Sequence, residues 1–305
     1  MSIPQGKLII IGGAIDTGSF TETTFDQANN MNFFERGILK RILTESTNGK
    51  ESRIEIVTTA SNIPEKVGEE YIKAYQQLDA TNIGVLNIKT RDEANSHEFT
   101  DRLKNTDIVV FTGGDQLRLS SIFGGTKFHH LLLEKYMDEN IVIAGTSAGA
   151  AASSNNMIYQ GSSQEALLKG EVKITGGLGL INNVIIDTHF VQRGRIGRLL
   201  YACASNPINL GIGLGEDTGL VITHGNRMEA IGSGLIILVD GTHMRHTNLT
   251  DVEMGEPVSI ENLIVHVMAI GDTFDLRTKK LTIAPRRHPE LVSGSAESQE
   301  IKKVD

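Results

Sequence analysis

The chain of 305 residues has one cysteine, no tryptophan and no apolar run approaching the roughly 20 residues that a membrane helix needs. A membrane span is therefore not expected. Cys203, being alone, cannot close an internal disulfide, so the fold has to stand on packing and suits a reducing compartment, the cytoplasm by default. The N-terminus also lacks the basic region, long apolar core and cleavage site of a signal peptide, so export is not expected. Basic residues are not in excess either: 29 Lys and Arg against 37 Asp and Glu leave a net charge of −8. A phosphate-neutralising surface is thus missing and generic nucleic-acid binding is disfavoured, while a cationic substrate would be tolerated.

What the chain does have is a regular alternation. Apolar runs at Leu8 to Ile11, Ile54 to Thr58, Ile83 to Ile88, Ile108 to Phe111 and Ile141 to Ala144 are bounded by glycine or polar turns and separated by helical stretches. Uniformly apolar runs fit parallel strands buried on both faces. Pro64 to Leu78, with Glu65 in its first turn, has helical spacing between two of them. The first half therefore reads as an open, doubly wound α/β sheet. Past Gly176 the runs shorten, at Val184 to Ile186, Leu220 to Thr223, Leu235 to Val239 and Leu263 to Ala269, and some of these are expected to add antiparallel strands to the same sheet. With no Pro/Ser-rich linker and no repeat, residues 1–287 read as one domain. The polar, small-residue tail 288–305 reads as disordered.

Three loops carry chemistry. Ile141-Val-Ile-Ala-Gly-Thr-Ser-Ala-Gly-Ala is a buried strand, a tight turn between small residues and an Ala-rich helix start, which is the context of a nucleophile elbow presenting Ser147. The bare Gly-x-Ser-x-Gly pattern is weak; the strand before it and the helix after it make it specific. Phe111-Thr-Gly-Gly-Asp-Gln also follows a buried strand. Its glycines let the backbone approach a substrate, and the amides of Gly114 and Ala148 would make an oxyanion hole, although Gly-Gly-Asp alone is an ordinary turn. Asp187-Thr-His-Phe is a strand end leading toward a helix, and His189 would supply the base that a serine needs near neutral pH.

Arg193, Arg195 and Arg198 crowd the start of that helix, where cations oppose the helix dipole. Their convergence makes more sense as a carboxylate clamp than as a stabilising feature, since guanidinium binds carboxylates bidentately. Two carboxylates compete to orient His189. Glu216 follows Leu210-Gly-Ile-Gly-Leu-Gly, another strand reaching the same edge. Glu165, in Gly161-Ser-Ser-Gln-Glu, would otherwise face a cationic side chain of the substrate.

Phe-Thr-Gly-Gly-Asp-Gln, Gly-Thr-Ser-Ala-Gly-Ala-Ala, Gly-Ser-Ser-Gln-Glu and Asp-x-His-Phe-x-x-Arg-x-Arg-x-x-Arg, in that order, resemble the cyanophycinases, relatives of the aspartyl dipeptidases. The resemblance runs from Leu8 to about Pro285. It implies a class I glutamine amidotransferase-like, flavodoxin-like core, usually a homodimer, and a serine exopeptidase that cuts multi-arginyl-poly-aspartate (cyanophycin) into β-aspartyl-arginine dipeptides. Carried over by position, Ser147 is the nucleophile and His189 the base. Gln116, Asp187, Arg193, Arg195 and Arg198 fall in the substrate pocket, and the Ser-His-Glu triad of the aspartyl dipeptidases favours Glu216 as the acid. The family pattern has Gln before the His where this chain has the shorter Thr188, which bears on fine specificity.

The competing readings are an aspartyl or isoaspartyl dipeptidase with another short β-aspartyl substrate, and a non-catalytic binding module. Intact Ser147 and His189 argue against the module; Gln116 and the arginine triplet argue for the polymer. No metal or cofactor is expected: His129-His130 and His243-Met-Arg-His246 lack zinc-site spacing, and Gly12-Gly13 and Gly211-x-Gly-x-Gly lack the dinucleotide spacing. Cys203, without an elbow around it, reads as a packing residue.

Overall fold

A computed structural model describes residues 3–13 and 37–285; the tail 288–305 lies outside them. Along the chain run β1 (Lys7–Ile11), α1 (Ile38–Glu45), β2 (Ile54–Val57), α2 (Pro64–Gln76), β3 (Ile83–Leu86), α3 (Arg91–Ala94), α4 (His97–Lys104), β4 (Ile108–Phe111), α5 (Gln116–Phe123), α6 (Lys127–Asp138), β5 (Val142–Thr146) and α7 (Ala148–Ala152). There follow β6 (Asn156–Gln160), β7 (Lys173–Gly176), β8 (Val184–Asp187), α8 (Ile196–Ser205), β9 (Leu210–Leu214), β10 (Thr218–Thr223), β11 (Arg227–Gly232), β12 (Ile236–Asp240), β13 (His246–Thr247), β14 (Ile260–Glu261), β15 (Ile264–Met268), β16 (Thr273–Asp275) and β17 (Lys280–Thr282).

The main sheet has nine strands in the order β17-β16-β11-β10-β1-β5-β4-β2-β3. From β1 to β3 every pairing is parallel, and β10, β11, β16 and β17 extend it antiparallel. The uniformly apolar runs are explained by this placement. Ile9, Ile11, Ile56, Val110 and Ala144 face α1 and α2, whereas Leu8, Ile10, Val57, Phe111 and Ile143 face α5 and α6. Both faces of β1, β2, β4 and β5 are thus removed from water, and alternation has nothing to mark there, while the edge strand β3 is only partly buried. Helix α2 begins with Pro64 and Glu65, as its start signals require, and buries Tyr71, Ala74 and Tyr75.

The C-terminal half departs from expectation. Of the four later runs, only Leu220 to Thr223 joins the main sheet. The other three, with Leu210–Leu214, build a separate four-stranded sheet ordered β15-β12-β9-β8. One face of it, including Val184, Ile186, Ile212 and Leu238, shares a continuous core with the main sheet. Its other face lies under α8, where a Cβ at Gly211 would stand 2.5 Å from Cys203 Sγ and one at Gly213 2.5 Å from the Phe190 ring. Gly211 and Gly213 of the Gly-x-Gly-x-Gly repeat are therefore packing positions, the first for α8 and the second for the Phe190 ring. Cys203 is buried in that contact, and burial pushes its thiol pKa up to about 12.

Candidate active site

Three loops meet where the carboxyl ends of the two sheets adjoin. Ser147 ends the main-sheet strand β5 in a backbone state with φ 50° and ψ −106°, outside the regions open to L-residues without strain. The turn closes because its neighbours are small. A Cβ at Gly145 would stand 2.5 Å from the Gly149 carbonyl, and one at Gly149 2.5 Å from the Phe111 carbonyl. The serine side chain consequently projects at the sheet edge, ahead of a wholly buried α7.

His189 follows β8 and Glu216 follows β9, both in the second sheet. Their strands pair in parallel with Asp187 opposite Gly213, so both side chains emerge beyond the same edge. His189 Nε2 lies 3.0 Å from Ser147 Oγ, and His189 Nδ1 lies 2.7 Å from Glu216 Oε1. This is the geometry in which an imidazole takes a hydroxyl proton while a carboxylate fixes its tautomer. Glu165 is exposed between β6 and β7 and does not approach the imidazole; its segment packs instead on Gly197 near the start of α8. The structure thus brings Glu216 rather than Glu165 to His189.

Gly114 and Ala148 flank the serine, and neither amide has an acceptor among the described residues. Gly114 has φ +142°, and a Cβ there would collide with the Ala60 carbonyl at 2.0 Å. Only glycine serves at that position. Ala148 is the first residue of α7, where helical amides lack intrahelical partners.

The pocket beside Ser147 is walled by Gln116, Ile158, Tyr159, Thr188 and the three arginines. Ile158 and Tyr159, on β6, carry no motif that a single sequence could expose. Gln116 donates to the Ile158 carbonyl at 2.9 Å, which leaves its own carbonyl end for a ligand. Asp187, 2% exposed, accepts from both Nε and Nη2 of buried Arg198 in a bidentate pair. Arg195 Nη1 shares the same carboxylate at 3.3 Å and donates to the Thr188 carbonyl at 2.6 Å. The clamp foreseen at this helix start therefore already holds one carboxylate, that of Asp187. Arg198 is committed to it. The Arg193 guanidinium and the remaining guanidinium nitrogens of Arg195 have no acceptor among the described residues. Burial, and then Arg198 and Arg193, lower the Arg195 pKa to about 10 against the pull of Asp187. The guanidinium stays charged near neutrality but short of counter-charge, a setting made for an anion.

Among the described residues no group of three or more His, Cys, Asp or Glu is placed to hold a metal, and no helix is long and apolar enough to cross a membrane. His129 Nε2 lies 2.7 Å from the Leu178 carbonyl, and its Nδ1 accepts from the Gly125 amide.

A strand–serine–helix turn, a hydroxyl–imidazole–carboxylate relay and two unpartnered amides on a mixed α/β sheet are the features of a serine hydrolase. Residues 29–230 match the model of peptidase family S51, and the chain belongs to that family. Relatives include proteins named cyanophycinase from Trichormus variabilis, 36% identical over 77% of this chain and 78% of that one, and from Synechococcus elongatus, 32% identical over 91% and 81%. A peptidase from an acI-B1 Actinobacterium superposes with a TM-score of 0.61 over 90% of this chain and 98% of that one at 17% identity, a likeness of fold.

Proposed function

We propose that the protein hydrolyses cyanophycin, releasing β-Asp-Arg dipeptides from a free end of the polymer. In this reading Ser147 sits in a nucleophile elbow and attacks the aspartyl main-chain carbonyl. His189 Nε2 takes the hydroxyl proton and passes it to the leaving amine, so that the peptide bond breaks as the acyl-enzyme ester forms. Glu216 holds His189 in the productive tautomer and faces the imidazolium. The amides of Gly114 and Ala148 receive the oxyanion. Water, deprotonated by His189, then attacks the ester and frees the serine.

The observation that carries the reading is the anion-seeking pocket beside the serine. In a β-Asp-Arg unit the arginine is joined through its α-amino group to the aspartyl side chain, so its own α-carboxylate is free. Arg193 and the open side of Arg195 suit that carboxylate, with Arg198 and Asp187 fixing the place of Arg195. Gln116 would accept from the side-chain amide, and Thr188 leaves room that a longer residue would fill. Relatives named cyanophycinase at 32–36% identity support the same substrate.

The test is mass spectrometry of the products after incubation with cyanophycin and, separately, with short β-aspartyl peptides. β-Asp-Arg from the polymer is expected. Cleavage of the short peptides with the polymer untouched would transfer the assignment to an isoaspartyl dipeptidase. We also read the chain as a cytoplasmic homodimer, on its lone buried cysteine and on the family resemblance. Light scattering that gave the 33.1 kDa mass of one chain would overturn the dimer.

A further inference from the structure

The relay is assembled from two sheets, and something has to fix their separation. The end of β1 lies between them. The carbonyls of its last residue and of the two glycines that follow are each bound to a different part of the site: Ile11 accepts from the Ser147 amide, Gly12 from the His189 amide and Gly13 from the Asp217 amide, all at 2.9 Å. The nucleophile, the base and the residue next to the acid thus hang from three successive peptide groups.

The two glycines are required at that seam for different reasons. A Cβ at Gly12 would stand 1.9 Å from the Gly215 carbonyl, so its absence lets the end of β9, which carries Glu216, close on β1. Gly13 has φ +115°, and a Cβ there would stand 2.3 Å from Cε1 and 2.6 Å from Nε2 of His189. That space is occupied by the edge of the imidazole that reaches Ser147. His189 itself has φ 50°, so its backbone has little freedom to retreat.

We infer that Gly12 and Gly13 are positioning residues of the active site: their carbonyls align the Ser147, His189 and Glu216 segments, and the missing side chain of Gly13 leaves the His189 ring its place against Ser147. The inference rests on reading those three residues as the catalytic set. It goes beyond that reading because neither glycine is among the residues that line the pocket beside Ser147.

The experiment is Gly13→Ala in the full chain, with Gly179→Ala as a control that has φ +69° and open space around its Cβ. Steady-state kinetics on the polymer, the pH profile of fluorophosphonate labelling of Ser147 and thermal melting are measured together. Gly13→Ala is expected to lower kcat by about 100-fold or more, the scale of an ångström-sized misplacement, with KM within about threefold. Its labelling profile should shift, while Gly179→Ala keeps wild-type kinetics. If Gly13→Ala melts early, His189→Ala is added to it: removing the ring should restore the melting temperature to the level of the Gly179→Ala strain control. Wild-type kcat in Gly13→Ala, or no recovery on removing the ring, overturns the inference. Ser147→Ala run alongside separates the two failures, because activity in that variant would remove the catalytic assignment itself.

Discussion

At the scale of the residue, the strained backbone of Ser147 and its small neighbours are independent of the hydroxyl. Ser147→Ala is accordingly expected to abolish turnover and leave the melting temperature within about 2 °C of wild type, since it removes the nucleophile and no packing. Calorimetry beside the activity assay checks both halves. Glu216 and Glu165 make a sharper pair. Glu216→Gln should lower kcat by about 10³-fold or more with KM nearly unchanged, because the carboxylate acts on the imidazole rather than on substrate. Glu165→Gln should act chiefly on KM, as expected of an exposed carboxylate on a segment packed beside α8. The opposite division would return the acid role to Glu165. On the proposed reading Arg195, half-paired with Asp187, holds the substrate carboxylate, and Arg195→Gln should raise KM by about 10- to 100-fold, the worth of a lost charge-assisted contact.

At the scale of the element, α7 is packed without slack. Its five residues, Ala-Gly-Ala-Ala-Ala, are all buried, and Gly149 lies against the Phe111 carbonyl with no room for a methyl group. Gly149→Ala should cost at least about 2 kcal/mol in chemical denaturation, the scale of an overpacking substitution. The same element shows what a sequence can and cannot display. The parallel strands were legible because burial on both faces leaves solid apolar runs. Runs such as Leu235 to Val239 look alike wherever they pair, so membership of the second sheet was hidden. It is decided by contacts far apart in the chain, β8 with β9 and β9 with β12. Ser147 and His189 stood out because each ends a buried run in a recognisable loop. The choice between Glu216 and Glu165 did not, because it depends on the register of β9 against β8. Gly12-Gly13 shows along the chain only an incomplete nucleotide motif, since its neighbours in space come from residues 147, 189 and 215 to 217.

At the scale of the whole molecule, one apolar core runs from Leu8 and Ile143 of the main sheet through Ile186 and Ile212 to Leu238 and Met268 of the second. A shared core of this kind predicts a single cooperative unfolding event. Urea titrations followed by circular dichroism and by activity should therefore give the same midpoint, whereas two separated transitions would divide residues 1–287 into independent units. The division of the relay between the sheets also has a consequence in time. Translation delivers Ser147 first; His189 and Glu216 come later, on a sheet whose edge strand β15 is completed only at Met268. A nascent chain on the ribosome carries a serine with no base to face it. On the proposed assignment hydrolytic power begins only when the late-made strands of both sheets have paired, and a chain truncated before Glu216 would lack the acid of the relay.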